Sequence, residues 1–276
     1  MKISIITPSY KQLEYIKLCA ASVADQQCDF KFEHLIEDAC SGPDFDQWAN
    51  DQSFASVRSQ QDRGMYDAIN NGFERAKGEI LAWLNCDEQY LPGTLQKVSD
   101  WFDLNPDKDV LFGDVILVNQ EGVPISYRTG HVPWVEHIKH CFLTTYSAGM
   151  FVRRRVLDKV GGLDVQYRDV ADADWVLNFL NSKVSCGVLN EGLSTFLQYE
   201  GNMGQQEFGG EELRKWKVKV GGDSRFRAML WSCAHRLRKT ANGEYWKRDV
   251  SVYIYRPEMI SRQQKVSQVS GRWKYV

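Results

Sequence analysis

No apolar run in this 276-residue chain approaches the roughly 20 residues needed to cross a bilayer. The N-terminus enters Lys2-Ile3-Ser4-Ile5-Ile6-Thr7-Pro8 at once, too short a stretch and too soon broken by proline for a secretory signal. The seven cysteines are odd in number and contain no Cys-x-x-Cys pair, which argues against zinc or dithiol chemistry and fits a reducing compartment. G-x-G-x-x-G and G-x-x-x-x-G-K-[ST] are both missing, so neither a dinucleotide fingerprint nor a P-loop is present. Together these absences predict a cytoplasmic protein, with any membrane contact peripheral and made from the inner face.

The composition is that of an ordinary soluble domain, 43% hydrophobic and 25% charged. Its net charge of -2 hides an asymmetry: from Glu212 onward there are 16 Lys+Arg against 5 Asp+Glu, which leaves 18 of the 34 bases and 31 of the 36 acids before it. An acidic body thus carries a basic C-terminal region.

Along the chain, Ile3 to Thr7 reads as a central strand, and Leu13, Ile16, Ala20 and Val23 follow at helical spacing. Phe32 to Asp38 reads as a second strand running into the turn-rich Ala39 to Asp44, and Phe54 to Arg58 as a short third. A helix marked by Met65, Ala68, Ile69, Gly72, Phe73 and Ala76 closes at Gly78. The apolar run Ile80 to Leu84 then stops in Asn85-Cys86-Asp87-Glu88. This alternation predicts an α/β fold with a mainly parallel sheet flanked by helices, whose ligands bind at the carboxyl ends of the strands. Four polar loops lie there: Thr7 to Lys11, Asp38 to Asp44, Asp62 to Gly64 and Asn85 to Glu88. Residues 85 and 87 point the same way on an extended segment and suit a shared hard cation, although acidic residues also cap strand-to-helix turns.

Ile5-Ile6-Thr7-Pro8-Ser9-Tyr10, Ile36-Glu37-Asp38, Gln61-Asp62-Arg63-Gly64 through Gly72, and Asn85-Cys86-Asp87 resemble, in order and spacing, the N-terminal half of family 2 glycosyltransferases. The likeness continues through Ala148 to Val152 and Gly161 to Asp164 to Asp172-Ala173-Asp174-Trp175. It implies a GT-A, Rossmann-type mixed sheet over residues 1–205, with a nucleotide-sugar half to about 105 and an acceptor half after it, and a helical basic extension over 206–276.

The same resemblance implies the site. Thr7, Pro8, Tyr10 and Asp38 correspond to the nucleoside pocket, and Asp62 and Arg63 to a further nucleotide loop. Asn85, Cys86 and Asp87 stand where the family carries D-x-D, with an amide replacing the first carboxylate. Asp87, helped by Glu88, is the expected ligand of Mg2+ or Mn2+, and Asn85 the contact to a donor hydroxyl. Asp172 is the expected general base, with Asp174 as second candidate; a helix N-cap is the plainer alternative for Asp172.

The implied reaction is an inverting sugar transfer from a nucleotide-sugar donor, UDP-linked, to a saccharide or lipid-linked saccharide, in surface polysaccharide or glycoconjugate synthesis. A catalytically silent nucleotide-sugar or glycan-binding protein and a sugar nucleotidyltransferase are the rival readings. His131, His137 and His140 read as surface or acceptor-side residues. Beyond residue 200, Phe226, Met229, Leu230, Cys233 and Leu237 share one helical face between arginines, which suits an anionic membrane surface or a helix docked on the body with its basic face in water. No nucleic-acid module accompanies the charge, and the residues from Ile260 to Val276 read as loosely ordered.

Overall fold

The computed structural model describes residues 1–198, 207–257 and 261–272. β1 (Ile3–Ser9) is buried along its whole length, as a parallel strand covered on both faces must be. α1 (Leu13–Ala24) buries Ile16, Cys19, Ala20 and Val23 and leads to β2 (Phe32–Asp38), parallel to β1. The turn-rich stretch after Asp38 holds a helix not foreseen from the sequence, α2 (Pro43–Asn50), with proline in its first turn. β3 (Ala55–Ser59) pairs parallel with β2, and α3 (Met65–Arg75) returns the chain to β4 (Ile80–Trp83) on the other side of β1. A Cβ at Gly72 would lie 2.4 Å from Ile6 Cγ2, so glycine there lets α3 lie close on the sheet.

Beyond β4 come β5 (Gln89–Tyr90), α4 (Thr94–Leu104), β6 (Val110–Val118), β7 (Pro124–Arg128) and α5 (Val135–His140). β8 (Met150–Arg153), α6 (Arg154–Val160), α7 (Ala171–Asn181) and β9 (Cys186–Leu197) complete the body. The sheet runs β3-β2-β1-β4-β8-β6-β9-β5, with β7 on β6. Its first four strands are parallel; β8 then runs antiparallel to both β4 and β6. The carboxyl ends of β1, β2, β3 and β4 therefore share one rim, where the polar loops emerge. Alternate residues of β1 feed different clusters, Ile6 packing with α3 and α7 residues, Ile3 and Ile5 with those of α1 and α4.

The basic region adds α8 (Glu207–Lys219), α9 (Arg225–Ala241), β10 (Arg248–Ile254) and β11 (Gln263–Val269). β10 and β11 form an antiparallel hairpin whose Val250, Val252, Ile254 and Val269 pack with Leu91, Ile116, Val118 and Leu197 of the body. Residues 263–269, expected to be loosely ordered, are thus a strand; Ile260 and residues 273–276 lie outside the described residues. Arg262 clamps the hairpin to the N-terminal half, donating to both oxygens of Asp25 at 2.6 and 2.7 Å and to the carbonyls of Ser22 and Tyr90. The Gln89 side chain exchanges two hydrogen bonds with the backbone of Tyr255.

Candidate active site

Past Trp83 the chain turns sharply, and the buried side chain of Glu88 holds the turn. Its Oε2 accepts the Asn85 backbone N–H at 2.8 Å and its Oε1 accepts Asn85 Nδ2 at 3.2 Å. Expected as an auxiliary metal ligand, Glu88 is placed as an internal brace with both oxygens engaged. The brace fixes the Asn85 amide, whose Oδ1 is buried and has no hydrogen-bond partner. Leaving such an acceptor unmet costs about 1–3 kcal/mol, so a ligand donor or cation at this oxygen gains what the fold forgoes. Asp87, two residues on, is half-buried. Burial raises both carboxyls above the ordinary range, and the charge of Asp87 raises Glu88 further. Cys86 is buried, its thiol donating to Gln12 Oε1 at 2.9 Å.

A cavity of about 110 Å³ opens at Asp87, and its walls include Tyr15, Asn119, Tyr255 and Arg256. Arg256, whose Nε is buried without a hydrogen-bond partner, comes from the loop after β10. Nothing local in the sequence links it to Asp87. A larger cavity of about 430 Å³, beside Leu91, Arg248 and Ser251, shares none of the expected site residues.

The neighbouring loops divide into framework and exposed groups. Thr7 is fully buried, its hydroxyl 2.8 Å from His34 Nε2, and Pro8 is buried with it. Expected in the nucleoside pocket, the Thr7 side chain instead pins β1 to β2. Asp38 is also buried: its Oδ2 accepts from Ser41 N at 2.9 Å and Ser59 Oγ at 2.8 Å, and its Oδ1 from Ser41 Oγ. Tyr10 is 56% exposed. Asp62 is half-buried and accepts from Gly64 N at 2.8 Å; burial raises its carboxyl, and the charges of Asp67 and Asp38 add to the rise. Arg63 is exposed and binds Asp67 through Nη2 at 2.6 Å.

α7 carries the other two candidates. Asp172 is half-buried in the first turn and accepts the Ala173 N–H at 2.7 Å, and the Tyr66 hydroxyl favours its ionised form. Burial pushes its carboxyl up to about 6, against the backbone N–H groups of Ala173 and Asp172 and the Tyr66 hydroxyl, which lower it. Asp174 is committed elsewhere: Oδ1 accepts from Trp216 Nε1 at 2.7 Å and Oδ2 from Asn178 at 3.0 Å. That engagement gives Asp174 a structural task and leaves Asp172 as the candidate base.

Three contacts fix where α7 begins. Trp175 stacks on Phe73 and lies 5.8 Å from Trp83 at the end of β4, so the helix is packed directly against the strand that carries Asn85 and Asp87. Its Nε1 donates to Gly161 O at 2.8 Å. From α8, Glu212 accepts the backbone N–H groups of Arg168, Asp169 and Val170 at 2.8–3.0 Å, meeting the unpaired donors that lead into the helix. Sequence reasoning missed Tyr66, although it lies inside the quoted 61–72 stretch; Glu212 and Trp216 left no local signal.

The histidines are not surface residues. His137 and His140 are buried, and the His137 ring lies 4.8 Å from that of His235 on α9, where it helps seat that helix on α5. Among the described residues no group of three His, Cys, Asp or Glu side chains is placed to hold a metal ion. Nor, among them, is any helix long and apolar enough to cross a membrane.

Comparison with known proteins identifies the family and the fold. Residues 4–161 match the family model described as Glycosyl transferase family 2. A curated relative from Mycobacterium bovis, a PGL/p-HBAD biosynthesis glycosyltransferase, is 28% identical over 180 residues, covering 62% of this chain and 67% of its own. The structure of Staphylococcus aureus TarS 1-349 in complex with UDP-GlcNAc superposes with a TM-score of 0.55 at 20% identity, over 73% of this chain and 60% of that one. The chain therefore spans about three fifths of that structure. A mannosyltransferase from Pyrobaculum calidifontis in complex with GDP-Man and Mn2+ gives a TM-score of 0.56 at 15% identity, over 87% and 75%. These structures share the GT-A-like α/β fold described above.

Proposed function

Since the chain belongs to glycosyl transferase family 2, we propose that it moves a sugar from a nucleotide-sugar donor, UDP-linked, to a hydroxyl of a saccharide or lipid-linked saccharide, with inversion at the anomeric carbon. The observation that carries the reading is the loop after β4, where Glu88 orients an Asn85 amide whose Oδ1 is buried and unmet, two residues before the Asp87 that lines a cavity. The TarS neighbour was solved with UDP-GlcNAc, which supports the choice of donor. In this reading residues 1–105 hold the donor and 106–205 the acceptor.

A divalent cation fits the residues present. Asp87 supplies one carboxylate and Asn85 one carbonyl oxygen, and Mg2+ or Mn2+ needs little more from a protein when a diphosphate supplies further oxygens. When bound, such an ion neutralises charge on the leaving diphosphate. Tyr10, Asp62 and Arg63 line the exposed part of the donor site, and Arg256 brings positive charge to the cavity at Asp87. Asp172 takes the proton from the acceptor hydroxyl as its oxygen bonds to the anomeric carbon and the bond to the diphosphate breaks on the opposite face. A carboxyl at about 6 is mostly ionised at neutral pH yet more basic than an ordinary aspartate.

Two measurements test this. UDP-sugars with Mn2+ should raise the thermal midpoint, since a ligand at about 100 times its Kd adds about 2.7 kcal/mol, and Asp87→Ala should remove the metal-dependent part. If no sugar nucleotide shifts the midpoint, the reading fails; stabilisation without turnover, even with acceptor extracts, favours the silent binding protein. Second, kcat/KM should rise with pH through about 6, because the base must be ionised. Tyr66→Phe removes a hydroxyl that favours the carboxylate, so the rising limb should move to higher pH. A limb that stays in place places the titrating group elsewhere.

A further inference from the structure

α9 is docked the wrong way round for an amphipathic surface helix. Toward α5 it turns polar and aromatic groups: Trp231 lies 5.7 Å from Trp134, His235 lies 4.8 Å from His137, and Ser232 Oγ and the Ala228 carbonyl both meet the Cys141 thiol. Buried Lys239 reaches the Gly271 carbonyl at 2.6 Å. Toward solvent it turns Phe226 (65% exposed), Met229 (57%), Leu230 (49%) and Leu237 (70%), with Cys233 exposed among them. At about 100° per residue these five fall within a sector of about 100°, forming a stripe roughly 16 Å long. A continuous apolar stripe of this kind on a folded surface marks a contact face.

Charge identifies the occupant. Arg225 and Arg236 flank one side of the stripe and Arg227, 3.9 Å from Glu136 of α5, the other, all exposed, and α9 itself contains no acidic residue between Arg225 and Ala241. A second copy of the chain seated on this face would bring arginines against arginines in either orientation, with no carboxylate on the helix to offset them. An interface with apolar depth beneath an anionic surface satisfies both features at once: the stripe enters the acyl boundary and the arginines reach the headgroups.

We propose that the outer face of α9 docks the protein on an anionic lipid membrane. The inference goes beyond sugar transfer and stands whether or not that reading holds. Because α8 and the β10–β11 hairpin are packed into the body, the test uses the full chain with point substitutions. The wild type should float with phosphatidylcholine vesicles that contain phosphatidylglycerol and not with phosphatidylcholine alone. Replacing Arg225, Arg227 and Arg236 with Glu should weaken partitioning by about a hundredfold or more. Phe226→Gln, Met229→Gln and Leu237→Gln together should abolish flotation with the thermal midpoint unlowered, since the three side chains make little contact with the body. Sugar-nucleotide binding, measured in parallel, should be untouched by either set; its absence in the wild type would count against the donor site and leave docking standing. A wild type that stays in solution with anionic vesicles, or a glutamine variant that floats as well as the wild type, overturns the proposal. So does a concentration-dependent dimer that Leu237→Gln dissolves, which would give the face to a second copy.

Discussion

Asp172→Asn should reduce sugar transfer by about 10²- to 10⁴-fold, the usual contribution of a positioned general base, while leaving donor affinity unchanged. Asparagine keeps the shape, and its Oδ1 can still accept the Ala173 N–H, so α7 should begin as before. The same substitution should raise stability. The carboxyl stands near 6 in the folded protein against an ordinary 3.8, so folding favours the protonated form and ionisation works against the fold. The stabilising contribution is complete below the ordinary value and is lost as pH rises through about 6; at neutral pH its loss has an upper bound of about 1–3 kcal/mol. An amide carries no such cost. A thermal midpoint that rises at pH 7.5 and changes little at pH 4, together with lost turnover, is the expected pair of results. Unimpaired turnover would remove Asp172 from the mechanism.

Trp216→Ala should have the largest effect on folding. The side chain is 1% exposed, packs in the cluster that contains Trp83 and Trp175, and donates to Asp174. Removing a buried tryptophan costs about 3–5 kcal/mol, a fall of roughly 6–15 °C for a chain of this size. Trp216→Phe keeps most of the volume and deletes the hydrogen bond, so it should cost about 1–3 kcal/mol. Its informative readout is kinetic. Trp216 holds the first turn of α7 through Asp174, so the phenylalanine variant should lower kcat with KM for the donor nearly unchanged. A rise in donor KM alone would mean that α8 serves the nucleotide loops instead.

The parts of this arrangement that were legible in the sequence are those encoded within a dozen residues. A continuous apolar strand ending in polar residues announces both the element and the rim it opens on, which is how β1, β2 and β4 and their loops were located. Asp172 was singled out by the family resemblance, and the amphipathic run beside it only placed it in the first turn of a helix. The brace within Asn85 to Glu88 spans three residues and was still not foreseen, because composition cannot say whether a glutamate faces in or out. What joins distant segments was not legible: Glu212 meets backbone groups more than forty residues earlier, and Arg256 reaches the cavity of Asp87 from the far end of the chain. The hairpin is an intermediate case. Val250, Val252 and Ile254 alternate as a half-buried strand should, but their partner, Gln263 to Val269, is polar on nearly every position and gives no periodicity. For α9 the helix and its stripe were read correctly, and the face that docks could not be, since burying histidine, serine and lysine against α5 runs against every hydropathy argument.

The Arg262 clamp has a consequence for biogenesis. Asp25 sits on the first turn of chain after α1, yet its cationic partner is synthesised 237 residues later, and the apolar patch on Ile116, Val118 and Leu197 stays open until β10 arrives. A nascent chain therefore leaves the ribosome with its sheet uncovered along one side and must wait for β10 and β11 to close it. Contacts of such separation form late and slowly, which makes the interval before closure the period of greatest exposure to aggregation and chaperone capture. Shortening the chain from its C-terminal end, even by the length of one hairpin, would make that interval permanent.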